Sequence, residues 1–209
     1  MKRETVSGME NIVAVFVGPH HVQDWRCSFG HQHAGTLCFS RVDMGIAAAQ
    51  QLGSTLLICG DSNGGSDVRM LVAHAQHHGV RCVEGLHKSH SNTVMDAQST
   101  IDYIAGLSTT GRIVLRLVTD WWHMPRVIIQ TQRAIRAARI GPDRVVLQPH
   151  SVLGWIPPAK VLTGEALGVT DALRGRPQQS RGIPVGKPDA TARHRKRAPD
   201  TSSQEGERW

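Results

Sequence analysis

The stretch "RIVLRLVTDWWHMPRVIIQ" (residues 112–130) decides the fold. It opens with an apolar run of strand length (112–119), passes through Asp120, Trp121, Trp122 and His123, and enters a helix with Pro125 near its first turn. Proline is accepted there because the first helical N–H has no partner within the helix. Gly141, just beyond "PRVIIQTQRAIRAARI" (125–140), marks the expected helix end. A strand that empties through a polar and aromatic cluster into a helix is half of a βαβ unit, and the cluster reads as the mouth of a ligand site.

The same alternation runs outward in both directions. Four further apolar runs stand at 12–17 "IVAVFV", 55–59 "TLLIC", 80–84 "VRCVE" and 144–148 "RVVLQ". Between them lie stretches of helical period. Residues 41–52 place Val42, Ile46, Ala49 and Leu52 on one face. The next stretch opens at Ser66 and closes at Gly79, a cap and a stop signal. The third opens at Thr93 with Asp96 three residues on, a capping-box-like pair, and carries the stripe Val94, Ala97, Ile101 and Ile104. The order β-α-β-α-β-α-β-α-β predicts an α/β fold with a mostly parallel five-stranded sheet, and a last strand or helix is expected within 149–172.

In such a sheet the carboxyl ends of the strands meet at one edge, where ligands bind. The polar oddities of the chain fall there. Gly18, Pro19, His20 and His21 follow the first strand; "GDSNGGS" (60–66) follows the second; "HKSHSNT" (87–93) follows the third; Asp120–Arg126 follows the fourth. Asn63, Gly64, Gly65 and Ser66 suit an anion cradle of backbone N–H groups at a helix N-terminus, although a tight turn explains the same residues. Ser91, Asn92 and Thr93 form a second polar helix start, where capping accounts for one or two of the three. Arg126 is placed to clamp a phosphate, sulfate or carboxylate, and His123 to move a proton near neutral pH. The plainer alternative is that His123 caps its helix, Arg126 pairs with Asp120, and Trp121 and Trp122 cover the sheet edge.

Composition bounds the rest. The chain has 209 residues and a net charge of +7, but residues 1–172 carry 15 Lys and Arg against 13 Asp and Glu, and residues 173–209 carry 9 against 4. The basic excess therefore belongs to the segment from 173 onward, which is rich in Pro, Gly, Arg and Ser and is expected to be a disordered basic tail; residues 1–11 are expected to be an N-terminal arm. "RHRKR" (193–197) is the one run that could touch phosphates, and no nucleic-acid partner is expected. No apolar stretch approaches the roughly 20 residues that span a bilayer, so no membrane association and a cytoplasmic location are expected. Cys59 and Cys82 read as small core residues.

The loop "GPHHVQDWRCSFGHQHAGTLCFSR" (18–41) is long for a connection and suggests a lid or a protein contact, together with Trp121 and Trp122. It carries Cys27, His31, His33 and Cys38, ligand types that suit zinc, but their spacing matches no common structural finger, and zinc is not expected.

Taken together, the Gly-rich "GGS" turn followed by Asp67, "SNTVMDA" (91–97), "LVTDWWHMPR" (117–126) and Arg41 at the start of the first helix resemble the YdcF-, SanA- and ElyC-like family over residues 12–148. That resemblance implies a Rossmann-like three-layer sandwich with a polar pocket built from these segments, and nucleotide-like ligands such as S-adenosylmethionine. The expected function is that of a small-molecule enzyme. It binds an anionic substrate through the Gly-rich loop, Thr93 and Arg126, assisted by Gly18, His21, Ser91, Asn92 and Trp122. His123 or His20 serves as acid or base, and Asp120 or Asp61 as the orienting group. Alternatives are a non-catalytic binding protein for S-adenosylmethionine or a nucleotide, or one subunit of a hetero-oligomeric enzyme.

Overall fold

The computed structural model describes residues 9–17, 32–33, 36–37, 41–61, 66–88, 92–109, 111–153 and 159–176. Strand β1 (Glu10–Phe16) is followed by two short strands, β2 (Gln32–His33) and β3 (Thr36–Leu37), which pair with each other antiparallel. The alternating units then follow as α1 (Arg41–Leu52), β4 (Thr55–Asp61), α2 (Ser66–His77), β5 (Val83–Lys88), α3 (Thr93–Ala105), β6 (Ile113–Asp120), α4 (Met124–Ala137), β7 (Val145–Val152) and α5 (Ala159–Leu173).

Five strands form one sheet in the order β5-β4-β1-β6-β7, and every neighbouring pair is parallel. The chain starts in the middle, builds outward through β4 and β5, and returns to add β6 and β7 on the other side of β1. This is the doubly wound arrangement of an α/β, Rossmann-like three-layer sandwich, with its topological switch between β1 and β6.

The central strand explains why its sequence shows no alternation. Residues Ile12 to Phe16 are all essentially inaccessible, because both faces of the strand are covered. Ile12, Ala14 and Phe16 pack with Ile101 and Ile104 of α3 and Val127 of α4 on one face. Val13, Val15 and Val17 pack with Val42 and Ile46 of α1 and Val68 and Leu71 of α2 on the other. Helix α1 lies so close to β1 that a Cβ at Gly45 would collide with the Val15 side chain. In β6, Arg116 interrupts the apolar run because its side of the strand is only partly covered; it lies opposite Gln148 of β7 and donates to the Gln148 Oε1 through Nε (3.3 Å) and Nη2 (3.1 Å).

Several expectations need correction. Strand β5 begins at Val83, after a bend at 81–82, so Cys82 is exposed rather than a core residue, and His87 and Lys88 belong to the strand rather than opening a loop. Helix α3 is capped by Asn92, not Thr93: Asn92 is extended (φ −138°, ψ 170°) and its Oδ1 accepts from the backbone N–H of Val94 (3.0 Å) and Met95 (3.1 Å). Val94 consequently faces outward at 39% exposure and leaves the apolar stripe. The left-handed residue after α4 is Arg139 (φ 54°), not Gly141. Strand β7 continues past Gln148 to Val152, through Pro149, which is tolerated in an edge strand. Helix α5 runs to Leu173, and Arg176 N–H bonds to the Asp171 carbonyl. The expected basic tail otherwise lies outside the described residues. Among the described residues no helix is long and apolar enough to cross a membrane.

Candidate functional site

At the switch point Arg41 ties the end of β1 to the end of β6. Arg41, the first residue of α1, is 6% exposed and turns its guanidinium onto the strand ends. Its Nη1 donates to the carbonyls of Phe16 (3.0 Å) and Val17 (2.6 Å), and its Nη2 pairs with Asp120 Oδ2. Thr119 Oγ1 adds a bond to the Phe16 carbonyl (3.2 Å). The Trp122 ring centroid lies 5.6 Å from the Arg41 guanidinium carbon, a cation–π distance. Asp120, expected as an orienting catalytic group, is thus the counter-ion of Arg41 on the α1 side of the edge.

A second cluster lies where α3 and α4 begin. His123 precedes α4 with helical backbone angles and makes no side-chain cap bond. Its imidazole turns inward at 3% exposure and bridges three helices. Nδ1 is 3.0 Å from Glu165 Oε2 on α5, and Nε2 is 3.4 Å from Thr93 Oγ1 on α3. Arg126, in the first turn of α4, donates from Nη2 to Glu165 Oε1 at 2.7 Å. The Thr93 side chain is available to His123 because Asn92 performs the capping.

The partners fix the tautomer. A carboxylate only accepts, so the shared bond requires the proton on His123 Nδ1, which leaves the Nε2 lone pair facing the Thr93 hydroxyl. Arg126 Nη2, 3.3 Å from Nδ1, then faces a second donor, and that approach is a charge contact rather than a hydrogen bond. Burial pushes the His123 pKa below its ordinary value; the Glu165 bond and charge oppose this, and the charges of Arg126 and Arg41 reinforce it. The imidazole is therefore neutral near pH 7, the form that can accept a proton. Burial also lowers Arg126, with Glu165 opposing, and an arginine remains charged regardless. Its Nε–H has no acceptor among the described residues.

Helix α5 reaches this cluster through a glycine. A Cβ at Gly168 would sit 2.9 Å from Arg126 Nη1 and 3.1 Å from its Cδ. Glu165 and Gly168 thus act together, one holding Arg126 and the other leaving it room. Glu165 was not anticipated from the sequence. A signal was present, since it is the only charged residue between Lys160 and Asp171.

Of the residues expected to converge, Thr93, His123 and Arg126 are brought together, and Asn92 stands beside them as the cap. Trp122 lies next to His123, with ring centroids 5.7 Å apart, while Trp121 is 41% exposed. The plainer pairing of Arg126 with Asp120 does not form; Glu165 and Arg41 take those places. Ser66 and Asp61 belong by backbone to the start of α2 and the end of β4. Gly18, His20, His21, Asn63, Gly64, Gly65 and Ser91 lie outside the described residues, as do Cys27, His31 and Cys38; His33 falls in β2. Among the described residues no group of three or more His, Cys, Asp or Glu is placed to hold a metal ion.

Comparison with known proteins finds no matching family model, no matching curated protein and no matching solved structure.

Proposed function

We propose that this chain is a small-molecule enzyme that works at the carboxyl edge of its sheet by acid/base chemistry, with His123 as the general base and Glu165 as the group that orients it. The supporting observation is the line Thr93 Oγ1, His123 Nε2, His123 Nδ1, Glu165 Oε2. A neutral buried imidazole between a carboxylate and a hydroxyl is the arrangement that general-base chemistry requires. The proposed substrate carries a phosphate- or sulfate-like group, held by the N-termini of α2 and α4, which open at the same edge, and by the donors that Arg126 retains beyond Glu165. Group transfer, hydrolysis, or elimination with ring closure fit this site. Kinship with the YdcF-, SanA- and ElyC-like family belongs to the same proposal.

The non-catalytic reading, in which S-adenosylmethionine or a nucleotide is simply held, is less favoured. A ligand in the crevice between β1 and β6 would compete with Arg41 and Asp120 for the same strand ends. Thermal melting with inorganic phosphate, sulfate, nucleotides and S-adenosylmethionine separates the two, since a ligand that binds only the native state raises its melting temperature by mass action. Stabilisation by phosphate or sulfate that Arg126→Met abolishes is the expected result. Stabilisation by S-adenosylmethionine alone, unchanged in His123→Gln, would overturn the proposal.

A further inference from the structure

The acid/base reading leaves open which atom meets the substrate. Both His123 nitrogens already face protein partners, Nδ1 the Glu165 carboxylate and Nε2 the Thr93 hydroxyl. The imidazole therefore reaches a substrate through Thr93 Oγ1. We propose that Thr93 is the nucleophile of this site and that the substrate presents a carboxylic ester, which is cleaved through an acyl-threonine intermediate. This inference rests on the acid/base role of His123 and deepens it.

Three further observations support it. Thr93 is the first residue of a helix whose N-terminus lies at the carboxyl edge, and capping does not occupy its hydroxyl, because Asn92 supplies the cap. Its backbone N–H, at the first helical position, has no intrahelical acceptor and lies at the positive end of α3, where a developing oxyanion is stabilised. Both nearby guanidiniums are already matched to carboxylates, Arg41 to Asp120 and Arg126 to Glu165. A carbonyl, which develops a single negative charge, suits that balance better than an already anionic phosphoryl centre, so the anionic group of the substrate sits away from the reacting carbon.

The step balances without a co-reactant. As Thr93 Oγ1 bonds to the carbonyl carbon, its proton passes to His123 Nε2. The bond to the alcohol oxygen then breaks, and the protonated imidazole returns that proton to the leaving alkoxide. Water attacks the acyl-threonine, giving a proton to His123, and Oγ1 departs and takes that proton back. The products are a carboxylic acid and an alcohol.

The test uses the full chain with p-nitrophenyl acetate and an alkyl fluorophosphonate, followed by mass spectrometry of the intact protein and its peptides. One adduct per chain on the peptide containing Thr93 is expected. Thr93→Ser should keep it, whereas Thr93→Val and His123→Gln should each lower its rate about 100-fold or more. The serine variant keeps the readout secure if valine disturbs the helix start. No adduct on the wild-type chain, an adduct elsewhere, or labelling in Thr93→Val at the wild-type rate would overturn the inference. Turnover or ligand binding that needs His123 but survives Thr93→Val would remove the nucleophile and leave the acid/base reading standing. An adduct on Thr93 that is undiminished in His123→Gln would remove both.

Discussion

His123 Nδ1 and Glu165 Oε2 lie 3.0 Å apart across 42 residues of sequence, and through this contact the last described helix fixes which ring nitrogen of a histidine at the start of α4 carries the proton. The same carboxylate holds Arg126 with its other oxygen, so one side chain on α5 serves two at the start of α4.

Glu165→Gln should destabilise the fold by about 3 kcal/mol, because Arg126 is left mostly buried without its counter-charge. Arg126→Met in the same background should recover part of that loss. Denaturant unfolding of the two single variants and the double variant checks this, with a coupling on the order of 1–3 kcal/mol expected. Strict additivity would show that the pair does not interact.

The stability of the wild-type chain should fall more steeply in acid than that of His123→Gln. The folded-state pKa of His123 is depressed below the ordinary value of 6.5. Its contribution is therefore complete above about pH 6.5, where both states are neutral. As the pH drops, the unfolded chain takes up a proton that the folded chain refuses, at about 1.4 kcal/mol per pH unit, until the folded pKa is passed. Unfolding free energies of both proteins between pH 7 and pH 5 measure the difference in slope. Parallel curves would contradict a buried neutral histidine.

Two glycines on α5 should respond in opposite directions. Gly164 has nothing within 4 Å of the position a Cβ would take, so Gly164→Ala should stabilise the helix by about 0.5–1 kcal/mol. Gly168→Ala places that carbon against Arg126, whose guanidinium is held by Glu165 and cannot withdraw without breaking the pair. A loss of about 1–3 kcal/mol is expected. Melting temperatures of the two variants provide the comparison, and a stabilised Gly168→Ala protein would show that Arg126 is free to move.

Arg41→Met should cost about 3–5 kcal/mol, since it leaves Asp120 without its partner and removes the guanidinium from the Phe16 and Val17 carbonyls, of which Phe16 keeps Thr119. Asp120→Asn should cost less, because an amide still accepts from the guanidinium. Chemical denaturation ranks the two, and the reverse order would refute a mainly structural role for Arg41.

The sheet was legible because its central strand is covered on both sides, so the continuous run from Ile12 to Val17 could hardly be anything but a buried parallel strand. The polar residues at the strand ends were legible for a related reason, since an apolar run followed by His123 and Arg126 has few plain explanations. Local backbone choices were less so. Asn92 and Thr93 are both good caps, and only the backbone angles decide between them. Arg139 adopts the left-handed conformation just past α4, whereas the helix end was expected at Gly141. Glu165 was hidden for a different reason: its role depends on how α5 docks against α4, and no local pattern encodes the angle at which two helices meet.

That docking also fixes when the site exists. Glu165 lies on the final helix described, after every strand of the sheet has been completed. During synthesis the five-stranded layer can assemble while His123 still lacks Glu165, and the contact between them forms only once that helix has left the ribosome and docked.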